Sequence, residues 1–308
     1  MKKFTKFSVY GGLICLGVGF LLMFITGFIG GASLARDLSI SFGDKGIWRW
    51  EVFDHDAFDS MFDGMNKYVL PSYGDQRFSV EEDGIRSLKI AVKGGELEIV
   101  RTGNVSDGEI LVSVESSRKN WYAIDHDGTL VIGADAYLKK GTYGKIVIDL
   151  GIDVDLEKVE VNLGGGEARV GSLEADRVEI NLGAGEMEIG SITASELFVE
   201  VGAGELTLPE VVVAEKINID VGVGELDICI AEESRDIDIK CGMGEVTCFL
   251  AGEDALQDYN YDVTCGAGEI TIGNQNMGGV GMHRTIDNGA SRTVSVDCGM
   301  GEVNILED

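Results

Sequence analysis

The 308-residue chain carries 53 acidic and 25 basic residues, which gives a formal net charge of −28 at pH 7. Nucleic acids and anionic lipids both favour lysine- and arginine-rich partners, so this balance argues against either as a partner. It suits a solvated surface, or one that collects cations, and the length allows one extended domain to fill most of the chain.

The N-terminal stretch predicts a membrane anchor. Residues 7–34 form an uncharged run rich in Phe, Leu, Ile and Gly, which is long enough for a helix across a bilayer. Three lysines at positions 2, 3 and 6 precede the run, so we expect a cytoplasmic N-terminus and an extracytoplasmic remainder. A signal peptide cut after Ala35 is the alternative, although the run exceeds what such a signal needs. We predict a cytoplasmic tip and a single-pass anchor in the cell membrane over residues 1–35.

The next part of the chain, residues 36–84, contains no repeat. We predict a juxtamembrane segment or linker here, in which the Pro-Ser-Tyr-Gly-Asp run at 71–75 is typical of a turn. From Ile85 onward, apolar and polar residues alternate as they do in strands. We therefore predict that a repeat domain fills residues 85–308.

A short motif with the centre Gly-x-Gly-Glu recurs through this domain, and a looser copy ends at Glu96. The copies return roughly every twenty residues, which is the sequence mark of a solenoid. Seven glutamates end the full copies: Glu167, Glu186, Glu205, Glu225, Glu245, Glu269 and Glu302.

Apolar and polar residues alternate on both sides of each copy of the motif. The residues four, six and eight positions before each glutamate are apolar and those between are mostly polar, as in Val178, Ile180 and Leu182 before Glu186. This is the pattern of a strand with one buried face. After the glutamate, the apolar residues fall one and three positions on, one step out of phase. The phase change predicts a corner between two strands.

We expect glycine to supply that corner, because it reaches positive φ without steric cost. Gly185 is the example, with Ala184 between the two glycines expected to point inward. The predicted fold is all-β: a parallel β-helix of roughly 20-residue coils, preceded by one N-terminal transmembrane helix. The expected corner glycines are Gly164, Gly166, Gly183, Gly185, Gly202, Gly204, Gly222, Gly224, Gly242, Gly244, Gly266, Gly268, Gly299 and Gly301.

Two irregular regions interrupt the repeats. Between Glu96 and Glu167 we expect about three irregular coils and an insertion. Later, residues 274–291 form an insertion just before the last copy, and the chain stops soon after that copy. An uncovered last coil would expose unpaired backbone groups. We predict that the insertion covers this end with Met277, Val280 and Met282, which keeps the soluble domain monomeric; end-to-end stacking of two molecules is the alternative.

Over about Ile85 to Asp308, the strand–Gly-x-Gly–acid repeats behind a membrane helix resemble the bacterial putative-adhesin family, whose function is unknown. The resemblance implies a non-catalytic surface or envelope-interaction protein, with an envelope protein or a glycan as its partner. It implies no role for the glutamates. A carbohydrate-active β-helix enzyme and a self-assembling envelope scaffold stay open as alternatives.

The glutamate column is the strongest candidate site. Carboxylates about 4.8 Å apart would repel by about 0.9 kcal/mol in water and roughly 3.5 kcal/mol at an effective dielectric of 20. We expect each carboxylate to accept backbone N–H groups at an adjacent glycine corner, as anions do in a nest. Weak Ca²⁺ binding between neighbours is the alternative. No cofactor is predicted.

The cysteines and histidines predict no chemistry. Cys241, Cys265 and Cys298 share an inward column with leucines and valines, so we expect small buried hydrophobes. A disulfide between Cys241 and Cys265 is the less favoured alternative. No nucleophile stands beside a base, and the strand after each Gly-x-Gly-Glu argues against a phosphate loop. We therefore predict no catalytic residues and no enzymatic activity.

Overall fold

The computed structural model describes residues 62, 65–117, 119–134, 144–232 and 234–308. The anchor predicted at 1–35 lies outside these residues. No helix in the described part of the chain is long and apolar enough to cross a membrane. The described residues are all-β apart from one short 3₁₀ helix, Ala255–Asp258.

Twenty-one strands make up the described fold. The first eight are β1 (Tyr68–Leu70), β2 (Tyr73–Ser79), β3 (Ser87–Val92), β4 (Gly95–Val100), β5 (Glu109–Ser116), β6 (Asn120–Ile124), β7 (Thr129–Ala134) and β8 (Gly144–Leu150). The central and C-terminal strands are β9 (Lys158–Leu163), β10 (Gly166–Leu182), β11 (Glu186–Val201), β12 (Glu205–Val221), β13 (Glu225–Ile230), β14 (Asp236–Cys241), β15 (Glu245–Leu250), β16 (Tyr259–Cys265), β17 (Glu269–Ile272), β18 (Gln275–Asn276), β19 (Met282–Ile286), β20 (Arg292–Cys298) and β21 (Glu302–Glu307).

Parallel pairing joins these strands into two ladders. The first ladder runs in the order β7, β3, β9, β10, β11, β12, β14, β20, β16. The second runs β8, β4, β10, β11, β12, β13, β15, β21, β17. The long strands β10, β11 and β12 bend and contribute to both ladders. The predicted parallel solenoid is therefore confirmed.

The alternation places one continuous aliphatic core between the ladders. Val178, Ile180 and Leu182 before Glu186 are each at most 1% exposed, and Met187 after it is also buried. The equivalent positions of the other copies are buried as well, and they belong to one core cluster. Burial of these columns is the main force that holds the coils together.

The last coil is not at the end of the solenoid, where the sequence predicted it. Strand β20 lies between β14 and β16, and β21 lies between β15 and β17. The chain thus builds the terminal coil β16–β17 first and then returns to insert β20–β21 beneath it. The N-terminal end has the same arrangement, with β3–β4 inserted between β7–β8 and β9–β10.

Antiparallel strands cover both ends. Strands β19 and β18 pair with β16 and β17, so the insertion at 274–291 covers an end as predicted, but the coil beneath it is β16–β17. Met277 is 4% exposed and Met282 packs against the core, whereas Val280 is 91% exposed and takes no part.

At the other end, β5 pairs antiparallel with β8, and β6 pairs antiparallel with β7. The three irregular coils expected between Glu96 and Glu167 are therefore wrong, because among the described residues between β4 and β9 only β7–β8 forms a parallel coil. Strands β2 and β1 pair in turn with β5 and β6. The described strands thus begin at Tyr68, inside the predicted linker 36–84, and β2 occupies most of the run expected as a turn at 71–75.

The corner glycines allow the backbones of neighbouring coils to approach closely, and few of these glycines have a positive φ. Gly166 has a φ of 108°, but Gly185 has no positive φ, so the expected left-handed corner is wrong there. A Cβ on Gly185 would lie 2.4 Å from the carbonyl oxygen of Gly166 on the neighbouring coil. Ala184 is exposed, as are Met243 and Met300 at equivalent positions, so the residue between the glycines points outward.

Candidate functional site

The predicted glutamates lie in one column along the second ladder. Glu167 pairs in register with Glu186, and the pairing continues from coil to coil. The order along the column is Glu96, Glu167, Glu186, Glu205, Glu225, Glu245, Glu302 and Glu269. The looser copy supplies the eighth member, and the last two members exchange places because of the inserted coil.

The carboxylates of this glutamate column do not sit in backbone nests. The N–H of Glu205 donates to the carbonyl of Gly185 at 3.0 Å, and the N–H of Ala203 donates to Gly183 at 2.7 Å. These donors are used between coils, so the expected nest is wrong. The carboxylate of Glu302 instead accepts from Asn304 Nδ2 at 3.0 Å.

The middle of the glutamate column is open to solvent. Among the described residues, no side-chain hydrogen bond reaches the carboxylates of Glu186, Glu205, Glu225 and Glu245. Partial burial, together with the neighbouring Glu302 and Glu225, raises the pKa of Glu245. No group of three or more His, Cys, Asp or Glu residues in the described part of the chain is arranged to hold a metal ion.

A second polar surface lies on the first ladder, where a groove of about 550 Å³ crosses strands β10, β11, β12, β14, β20 and β16. Its floor is formed by the positions five and seven residues before each glutamate, which point outward. We call it the acidic groove. Its polar lining and its one aromatic residue are Asn181, Phe198, Glu200, Asn218, Asp220, Asp238, Lys240, Asp262, Thr264, Ser295 and Asp297.

Asp220 and Asn218 form the centre of the acidic groove. They lie two residues apart on β12, so both side chains project from the same face of the sheet. Asp220 Oδ1 and Asn218 Nδ2 are both buried and have no hydrogen-bond partner. Burial, reinforced by the nearby carboxylate of Glu200, raises the pKa of Asp220 to about 6. The centre therefore offers one unused acceptor beside one unused donor.

Charged neighbours surround this pair. Lys240 lies in register with Asp220 on one side and with Asp297 on the other. At the far end of the acidic groove, Thr264 Oγ1 lies 3.1 Å from His283 Nδ1, which is 3.6 Å from Asp262 Oδ1.

The cysteine column is buried, as expected. Cys241 lies in register with Cys298, and Cys298 lies in register with Cys265. Cys298 thus separates the two cysteines that the sequence placed as neighbours, and all three are free thiols. The alternative disulfide between Cys241 and Cys265 is therefore wrong, because they stand two strands apart.

Sequence reasoning missed the acidic groove. Its residues occupy positions recognised only as the polar half of the alternation, and four of them come from coils whose spatial order differs from chain order. The available signal was the excess of acids over bases at those positions, where five carboxylates accompany Lys240.

The parallel ladders and the buried columns define the class of protein as a β-solenoid. The Toastrack DUF4097 family model matches residues 81–306, so the chain belongs to this family. The resemblance seen in the sequence is confirmed. A comparison with curated proteins gave no match.

Several solved structures are similar to this chain. A putative adhesin from Bacteroides fragilis is 15% identical, with a TM-score of 0.44, over 78% of this chain and 98% of that one. A putative adhesin from Parabacteroides distasonis is 13% identical, with a TM-score of 0.43, over 79% and 96%. A putative cell adhesion protein from Clostridium sporogenes is 13% identical, with a TM-score of 0.33, over 79% and 100%.

Proposed function

We propose that this protein is a non-catalytic, adhesin-like interaction protein of the bacterial envelope, and that the acidic groove is its binding surface. The observation that carries the proposal is the pair of unpartnered buried atoms at the centre of the groove, Asp220 Oδ1 and Asn218 Nδ2. Buried polar groups without partners are costly, so such a pair on an open groove favours a ligand that supplies the missing hydrogen bonds.

The proposed location follows from the N-terminal sequence. The uncharged run at 7–34 behind three lysines supports a single-pass anchor with the β-solenoid outside the cytoplasm. External protease on intact cells or protoplasts should then digest the solenoid. If the solenoid is protected until the cells are lysed, the surface location is wrong.

The binding function is tested with the full chain in detergent micelles, immobilised and screened against cell-wall glycans and envelope proteins. We expect saturable binding of at least one component, and we expect Asp220→Asn with Asp297→Asn to weaken it. Binding that survives this double variant would move the site away from the acidic groove.

A carbohydrate-active enzyme is the second candidate, and one observation favours it. Asp220 has a raised pKa, and Glu200 stands on the adjacent strand in register with it. A carboxyl group with a raised pKa beside a second carboxyl group is the arrangement that glycosidases use. Release of reducing ends from a cell-wall glycan, abolished by Glu200→Gln, would replace the non-catalytic proposal with this one.

A further inference from the structure

We propose that the acidic groove binds a glycan that carries free amino groups, with its ammonium groups seated against Asp220 and Asp297. The inference rests on the proposed function, because it names the ligand class of the same surface.

The first argument is how charge is balanced along the first ladder. Toward β9, the carboxylate of Glu160 is neutralised by the ammonium of Lys89 at 2.7 Å. In the acidic groove, neither Asp220 nor Asp297 has an ion pair or a side-chain hydrogen bond among the described residues. Lys240 stands in register between them and pairs with neither. Asp238 in the lining is paired with Lys216 at 2.7 Å, so the unneutralised carboxylates of this part of the face are those of Asp220 and Asp297.

The second argument is the net charge of the lining. Five carboxylates and one ammonium line the acidic groove, and the lysine that pairs with one of the five, Asp238, leaves the groove with a net negative charge. A groove lined by one sign of charge concentrates ligands of the opposite sign. A neutral ligand would leave the desolvated carboxylate of Asp220 unbalanced, whereas an ammonium group beside it would restore favourable charge pairing.

The third argument is hydrogen bonding. Asn218 Nδ2 needs an acceptor and Asp220 Oδ1 needs a donor, at neighbouring positions of one strand. A sugar ring offers hydroxyl groups that donate and accept, and an amino sugar adds a charged donor beside them. One amino-sugar unit therefore carries both kinds of group that the two unpartnered atoms lack.

A cationic peptide fits this surface less well. The strands beneath the acidic groove are paired on both sides, so a peptide cannot join them as an added strand. Aromatic anchors, which dominate protein interfaces, are scarce in the lining. Phe198 is the aromatic residue there, and the Arg177 guanidinium lies 3.9 Å from its ring centroid.

The test is calorimetry of the full chain with a short glucosamine oligomer, at low ionic strength. Asp220→Asn with Asp297→Asn should weaken binding by about tenfold. Glu186→Gln with Glu205→Gln removes the same charge from the glutamate column and should change affinity by less than about twofold. Lys240→Gln should increase the affinity for the oligomer, because it removes a positive charge from the acidic groove. A misfolded variant could not show such an increase.

Several results would overturn the inference. These are no binding of the glucosamine oligomer, equal losses in the two double variants, equal affinity for the N-acetylated oligomer, or equal affinity for oligolysine. If the oligomer fails but an envelope component binds and is lost in Asp220→Asn with Asp297→Asn, the proposed function stands and this inference falls. If no binding depends on the residues of the acidic groove, the proposed function and this inference are both wrong.

Discussion

Glu245 lies in register with Glu302, although Glu269 is the next glutamate of the repeat along the chain. The relationship shows that the C-terminal coil is inserted between the terminal coil and the rest of the solenoid. The insertion brings Asp297 beside Lys240, and so it completes the acidic groove from segments that are distant in sequence.

The glycine column gives the sharpest stability prediction. Gly185→Ala should destabilise the fold by about 2 kcal/mol or more, because the new Cβ would lie 2.4 Å from the Gly166 carbonyl oxygen. Gly165→Ala is the matched control, since its Cβ meets nothing within 4 Å and its φ is not left-handed. We expect that control to be neutral or slightly stabilising. Equal unfolding free energies for the two variants in urea would refute close approach as the reason for glycine.

Two aspartate substitutions in the 274–291 insertion, one buried and one exposed, test whether this insertion covers the C-terminal end of the solenoid. Met277→Asp places a charge in a buried position, so it should loosen the cover, lower the melting temperature and promote association through the exposed β16–β17 coil. Val280→Asp changes a residue that is 91% exposed and should leave both properties unchanged. Light scattering and thermal unfolding distinguish them. A monomeric, fully stable Met277→Asp protein would show that the cover is dispensable.

The raised pKa of Asp220 predicts a pH-dependent stability. Because burial raises the pKa of Asp220 to about 6 from its ordinary value of 3.8, the fold disfavours the charged form. The contribution of Asp220 to the free energy of unfolding is therefore fully present below the pKa of the unfolded state. It is lost as the pH rises through about 6.

Asp220→Asn removes that loss. We expect it to stabilise the protein by about 1 kcal/mol at pH 7.5, after allowance for solvent screening, and to have little effect at pH 4. Asp176→Asn, at an exposed position of β10, serves as the control. A benefit from Asp220→Asn that is the same at both pH values would contradict the assignment.

Thiol accessibility tests the cysteine column. In the native protein, Cys241, Cys248, Cys265 and Cys298 should resist alkylation, because each is at most 2% exposed. Burial also raises the pKa of Cys248 to about 12. Peptide mapping after brief alkylation should find Cys229, the half-buried one, as the most modified of these five. Rapid labelling of Cys298 would mean that the inserted strand opens easily.

The sequence predicts the solenoid well because its signal is local and repeated. The alternation before Glu186 specifies which residues of one coil are buried, and the repeat specifies the register between coils such as Glu167 and Glu186. Both depend on short segments, so neither needs knowledge of the distant chain.

The order of the end coils and the acidic groove depend on long-range pairing. The strands of Glu302 and Glu269 have the same pattern, so periodicity cannot decide which of them lies against Glu245. For the same reason Asp297 could not be placed beside Lys240. The role of Gly185 was misjudged because a motif cannot distinguish a backbone that needs positive φ from one that a neighbouring carbonyl approaches closely.

The inserted coil is the central claim, and spin-label distances test it most directly. Nitroxide labels at Thr247→Cys and Asn304→Cys, in a Cys229→Ala background, should be one strand spacing of about 4.8 Å apart at the backbone. Labels at Thr247→Cys and Thr271→Cys should be about twice as far apart. We predict stronger dipolar broadening of the continuous-wave spectrum for the first pair. Stronger broadening for the second pair would mean that the coils follow chain order, and the acidic groove as described would not exist.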